Sequence, residues 1–419
     1  MTQSQAATCR MFLAREPIVN RHNRILGYQI RVGDSQSPAG PDSAGGVDVA
    51  RAGSGLNANE VSLLGRGRST FFRVTRESLL GSMNAELHPR HAVIELPSSV
   101  AADKEVRAAC ANLRERGFRV SIDDFSINAP AAPLAEFANY LKVDCAAPDH
   151  ADTRARTVAC FKSQVAAIIG TGVNTHEDRD TAAGQGVEYF QGFMLGCVDR
   201  GAARGFSPNQ IVLLKVLSAL SDSRLSISQL EDLIKHDPAL CYRILRTVNS
   251  AAFALRQTVT SMNQAILLLG RDTIRRWASL WTMAGIGADA HDELVAMAAL
   301  RARLCESLMS TSRGPEAGTE AFLVGMCSMF DAILNQPIST VVTELPLEES
   351  SKAALCGEAG LMRTVLDCVI AHERGRWVES GRLAASAKVN PWILPGTFME
   401  ALRWVRELDD ISAEVATPR

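Results

Sequence analysis

The sequence predicts an α/β barrel followed by an all-helical domain, and three observations carry that prediction. Strand-like and helix-like runs alternate over roughly the first 200 residues. After about residue 210 the strand signals nearly vanish. A chain of 419 residues also exceeds what one hydrophobic core usually serves.

The strand candidates are 11–19, 25–32, 71–75, 92–96, 119–125, 140–144, 165–173 and 187–195, each short and rich in β-branched or aromatic residues. Helical patterns stand between them. The run DKEVRAACANLRERGF puts Val106, Ala109, Cys110 and Leu113 on one face and ends at Gly117, a residue suited to stopping a helix. This repetition argues for a parallel sheet, and the number of repeats favours a closed barrel over an open one. Residues 35–59 are rich in Gly, Ser, Pro and Ala without an apolar period and read as a loop. A second break at 199–210 divides the chain into domains at 1–204 and 205–419. Beyond it, Ser226 precedes Gln229 and Ser228 precedes Glu231 by three residues, so either serine can open a helix with a capping box. Further helices are expected at 291–310, 318–335, 349–355, 359–373, 379–388 and 395–408, with prolines at their breaks.

Composition excludes several classes. Apolar residues make up 47% and charged residues 21%, which fits a folded globular chain rather than a disordered or coiled-coil one. A net charge of −2 supplies no overall field for nucleic acid or an anionic membrane. The arginines of 271–276 and 301–303 lie in helical patterns and read as solvated faces. The cysteines run from Cys9 to Cys368 without a C-x-x-C pair, as expected of reduced thiols. The N-terminus has no signal-like progression and no apolar run reaches the ~18 residues of a membrane span, so a cytoplasmic protein without membrane insertion is expected.

Three motifs in the first half carry a resemblance: SIDDFS at 121–126, LKVD at 141–144 and QGFMLG at 191–196. In that order they resemble the EAL domain family, whose active members are TIM-like barrels that hydrolyse cyclic di-GMP with divalent metals. The second half, through HDPALCYRILRTVNSAAF at 236–253, AILLLGRDTIRRW at 265–277 and FLVGMCSMFDAIL at 322–334, resembles the HDOD family, relatives of HD phosphohydrolases without the metal-binding residues. Together they imply a degenerate TIM-like (β/α) barrel followed by a helical HDOD domain.

The barrel departs from its family where the chemistry would lie. The resemblance puts Gln29 in place of a metal-binding glutamate and Gly33 in place of a phosphate-holding arginine. It puts Arg73 at an asparagine ligand position, Ser98 at the second glutamate of a pair, and Thr171 and Asn174 where two more glutamates would stand. Two hard cations need several converging oxygens, and this set supplies too few. What remains is Glu95, Asp123, Asp124, Lys142, Asp144 and Gln191, read as a vestigial nucleotide pocket whose acids and lysine can satisfy one another. The expectation is a chain with no catalytic residue, bound metal or cofactor of its own. It would be a signalling scaffold whose partners are other signalling proteins such as cyclases, kinases or their regulators. The alternative is a receptor that binds cyclic di-GMP without cleaving it.

In the second half, His236-Asp237-Pro238 reads as a helix start rather than a metal site, and Asp292 after His291 suits a helix N-terminus. Asn249 and Ser250 are expected to bond backbone, and Trp277 and Trp281 to pack in a core. The run AHERGRWVES at 371–380 resembles a recurring late element of such two-domain chains. It has no catalytic logic, and His372 and Glu373 there read as polar helix-end residues.

Overall fold

The computed structural model describes residues 11–33, 56, 58–81, 87–147, 151–165, 167–198, 213, 216–217, 219–220, 226–235, 238–249, 258–286, 292–345 and 347–416. Most of the 35–59 loop, the break at 199–210, His236, Asp237, Ser250 and His291 lie outside them.

Eight strands close into a barrel in sequence order: β1 Phe12–Asn20, β2 Ile25–Gly33, β3 Ser69–Arg73, β4 Ala92–Pro97, β5 Arg119–Asp123, β6 Tyr140–Asp144, β7 Ala167–Thr171 and β8 Tyr189–Gln191. All eight strand candidates fall on them. The barrel is not wholly parallel, however: β1 runs antiparallel to both neighbours, β2 and β8. The cause is local. Between β1 and β2 there is room only for a turn, and Asn20 builds it by accepting at 2.9 Å from both His22 N and Arg24 N. Asn23 takes the left-handed conformation at φ 57°, which asparagine tolerates better than most residues.

Strand alternation then decides which residues face the lumen. Ile18, Phe71, Val93, Tyr140, Ala167 and Ile169 fill its lower layer as a buried apolar cluster. The next residues of the same parity, toward the C-terminal ends of the parallel strands, are polar: Gln29, Arg73, Glu95, Asp123, Lys142 and Gln191.

The connecting helices are capped by their own sequence. Asp103 accepts from Val106 N at 3.0 Å and opens the helix Lys104–Glu115, which buries Val106, Cys110 and Leu113; Gly117 follows its end at φ 82°. Thr175 and Asp178 form a reciprocal capping box on His176–Gly184.

From Ile227 onward the described elements are helical. Of the two serines, Ser226 makes the box: its N–H donates to Gln229 Oε1 at 2.9 Å and its hydroxyl accepts from Gln229 N at 3.2 Å. Asn249 does bond backbone, donating to Leu245 O and Val259 O and accepting from Val259 N, at 2.7–2.8 Å. Trp277 and Trp281 are buried, with ring centroids 5.8 Å apart. The arginines require a correction. Arg275 is buried and donates to Thr319 Oγ1, Arg301 is buried against Ser328 Oγ, and Arg276 and Arg303 converge on buried Glu306 at 2.8 and 2.6 Å. Their long stems pack while their heads find partners, so Arg275 and Arg301 are internal struts, Arg276 and Arg303 are half-buried on Glu306, and only Arg271, its side chain 40% exposed, keeps to a solvated face.

The helix Pro315–Cys327 with its continuation to Leu334 is, among the described residues, the one stretch long and apolar enough to cross a membrane, and 67% of its apolar window is buried in protein. A helix covered in this way serves as a core element.

Contacts divide the chain into two units. The first holds Met1–Cys197 together with Ile370–Arg382 and Asn390–Met399; the second holds Val198–Val369, Leu383–Val389 and Glu400–Arg419. Two late segments therefore pack with the barrel although they lie far beyond its last strand in sequence.

Candidate functional site at the barrel mouth

Lys142 stands at the centre. Its ammonium lies 2.5 Å from Glu95 Oε2, and both side chains are 1% exposed. The same ammonium donates to Gln29 Oε1, while Gln29 Nε2 donates to Phe71 O at 3.3 Å. The Phe71 ring lies 5.0 Å from the ammonium and closes the lower side. Burial pushes the Glu95 carboxyl above the usual carboxylate range and nearby Asp123 adds to this, against the pull of Lys142 and Arg73.

Around this centre sit two further ion pairs. Arg73 Nη1 lies 3.3 Å from Asp123 Oδ2. Arg31 Nη2 lies 2.8 Å from Glu16 Oε2, which also accepts from Gln191 Nε2 at 2.9 Å. The Gln191 amide oxygen is buried and meets no donor among the described residues.

Of the six pocket residues expected from the sequence, Glu95 and Lys142 are in direct contact, Asp123 and Gln191 hold neighbouring partners, and the other two stand apart. Asp124 is exposed in the left-handed conformation at φ 49°, and Asp144 turns its carboxylate to Ala146 N at 2.8 Å. Thr171 Oγ1 donates to Val143 O at 3.4 Å and Asn174 Oδ1 accepts from Phe193 N at 3.3 Å, so both brace backbone. Sequence reasoning missed Glu16 and Arg31. A signal existed, since Glu16 is the acid in the otherwise apolar alternation Ala14, Glu16, Ile18. Among the described residues, no three His, Cys, Asp or Glu side chains converge as a metal would require.

At Gly33 the mouth is already covered. A β-carbon built there would stand 2.6 Å from Trp377 Nε1 and 2.7 Å from Trp377 Cδ1, so the indole lies directly on the glycine. His372 does lie at a helix end, in the last turn of Leu361–Glu373, but it faces the interior: it is 1% exposed, its ring 5.2 Å from those of Trp377 and Phe398 and 6.2 Å from that of Phe12. Burial pushes its imidazole down to about 4.

The chain is an eight-stranded barrel with an antiparallel first strand, followed by a helical second half that contains an HDOD domain. The HDOD domain family matches residues 208–330. The chain is 25% identical over 413 residues to the uncharacterized protein YuxH of Bacillus subtilis, covering 96% of this chain and 99% of that one. It is 26% identical over 408 residues to the cyclic di-GMP phosphodiesterase CdgJ of Vibrio cholerae, covering 95% and 93%. Among solved structures, it is similar to Klebsiella pneumoniae BlrP1 in its calcium and cyclic di-GMP complex, at 20% identity over 44% of this chain and 55% of that one, TM-score 0.37. It is also similar to an EAL domain protein of Listeria monocytogenes, at 16% identity over 44% and 86%, TM-score 0.33.

Proposed function

We propose that this chain is a non-catalytic, cytoplasmic signalling scaffold of the cyclic di-GMP system, acting through contacts with other signalling proteins such as cyclases, kinases or their regulators. One observation carries the proposal: the ammonium of Lys142 is bound to both Glu95 and Gln29, so the oxygens that a cation would need already hold a resident positive charge. Arg73 repeats the arrangement at Asp123. A divalent cation brought to this mouth would meet three fixed cations, Lys142, Arg73 and Arg31, each already paired with an acid, and in Glu95 a carboxyl that burial drives toward neutrality. These residues do not fit a two-metal centre.

The similarity to a protein named a cyclic di-GMP phosphodiesterase makes hydrolysis the competing function. Titration of Mn²⁺ into the full chain, followed by calorimetry and by the loss of free-ion paramagnetic signal, separates the two. The scaffold reading expects no stoichiometric site. A site that disappears in Asp123→Asn overturns it.

A second reading, a receptor that binds cyclic di-GMP without cleaving it, is favoured by the buried Gln191 amide oxygen, an acceptor left open toward a donor such as a guanine N–H. Lys142, Glu95 and Asp123 would form its floor together with Gln191. Heat on titrating the dinucleotide into the native chain, lost in Gln191→Leu, supports this reading, and a flat titration removes it.

A further inference from the structure

The run 371–380 stands out in the sequence, and the scaffold function gives it no task. Its place in the barrel unit does. Gln29, Arg31 and Gly33 alternate onto one face of β2, and Gln29 shows which face it is, because its amide meets Lys142 from β6 inside the lumen. Phe12 lies opposite Gly33 in the β1–β2 ladder and shares the parity of Ala14, Glu16 and Ile18, so it points to the same side. These two strands are nine residues long against three to six in the others. They rise past the rim, and their lumen-side surface there is occupied by the chain's own late segments.

The contacts are specific. Trp377 seats on Gly33, and a β-carbon at Gly375 would lie 3.1 Å from Arg31 Cδ, so the left-handed turn at Gly375 (φ 69°) lets the chain cross directly over that arginine. Arg374 lies over the Phe193 ring at 4.6 Å, two residues past Gln191 at the end of β8. Phe12, fully buried, is flanked by the rings of His372, Trp377 and Trp392 with centroids 5.8–6.2 Å away. The segment thus touches β1, β2 and the residues after β8, the three strands that carry Glu16, Arg31 and Gln191.

We propose that Ile370–Arg382 is an autoinhibitory strap, a segment of this chain that covers the β8–β1–β2 side of the mouth and must lift before an anionic diester held at the rim by Arg31 can enter the polar chamber below it. A planar indole on a glycine leaves no void for a second ligand. Arg31, half-exposed beside the strap, is the guanidinium such a diester would seek. The strap needs no partner protein to form, since its seat and its side chains belong to one chain.

The use of cyclic di-GMP as probe rests on the relation of this mouth to EAL barrels. The full chain and its Trp377→Ala variant are titrated with cyclic di-GMP by calorimetry, and hydrogen exchange is followed across residues 370–382 without nucleotide. The strap predicts at least tenfold faster exchange across that segment in the variant and at least tenfold tighter binding than in the native chain. Equal affinity in the two proteins, absence of binding in both included, overturns the strap, whereas turnover of the nucleotide would overturn only the scaffold. Should Trp377→Ala lose the native circular dichroism spectrum, the exposed Arg374→Ala replaces it, with the same direction expected and the same equality overturning the proposal.

Discussion

Lys142 and Glu95 face each other 2.5 Å apart inside the barrel, each 1% exposed, and the rest of the mouth is arranged around that pair. Removing one partner of a buried pair strands the other charge, which typically costs ~3–5 kcal/mol. Lys142→Met and Glu95→Leu are therefore each expected to destabilise the barrel strongly. The double variant Lys142→Met, Glu95→Leu should recover most of the loss, because neither charge remains. Hydrogen exchange in β4 and β6 measures all three, and two additive single losses would contradict the pairing.

His372 makes the barrel unit sensitive to acid. Its folded value of about 4 lies below the ordinary imidazole value of 6.5, so the unfolded chain takes up the proton first as pH falls. Its contribution is fully present above about pH 6.5 and is lost progressively toward about pH 4, with a total on the order of 3 kcal/mol at ~1.4 kcal/mol per unit. Exchange across residues 370–382 should accelerate over that window in the native chain. In His372→Phe, which keeps a ring in the pocket and removes the titration, the acceleration should be absent.

Asn249 closes the end of the helix Pro238–Val248 with three side-chain hydrogen bonds, one back to Leu245 and two to Val259. At ~0.5–1.5 kcal/mol net for each bond, Asn249→Ala is expected to cost roughly 2 kcal/mol of local stability. Exchange at Val259 and Thr260 should quicken while the barrel strands keep their native protection. Unchanged exchange at Val259 would show that other contacts hold the connection.

Much of this was legible in advance, for identifiable reasons. The eight strands were visible because each alternates or is wholly apolar and ends in turn residues, and Asn249 announced itself as a short amide at a helix end. Glu95, Lys142, Asp123 and Gln191 could be named because motif order fixes strand position. The antiparallel first strand was not read, since orientation depends on the short turn that Asn20 organises and not on strand composition. The buried arginines were misjudged because helical periodicity does not register a guanidinium that finds Thr319, Ser328 or Glu306 inside. Nothing local could place Trp377 on Gly33: the contact spans 344 positions and depends on a missing side chain, so only the folded chain displays it.

A turnover assay asks whether the barrel is an enzyme. Purified full-length chain is incubated with cyclic di-GMP and with its linear dinucleotide, in Mg²⁺ and in Mn²⁺, and products are resolved by chromatography over hours. The resident Lys142 and Arg73 charges predict no conversion above a protein-free control. Conversion that persists through purification and vanishes in Asp123→Ala would contradict the account and make the barrel an enzyme.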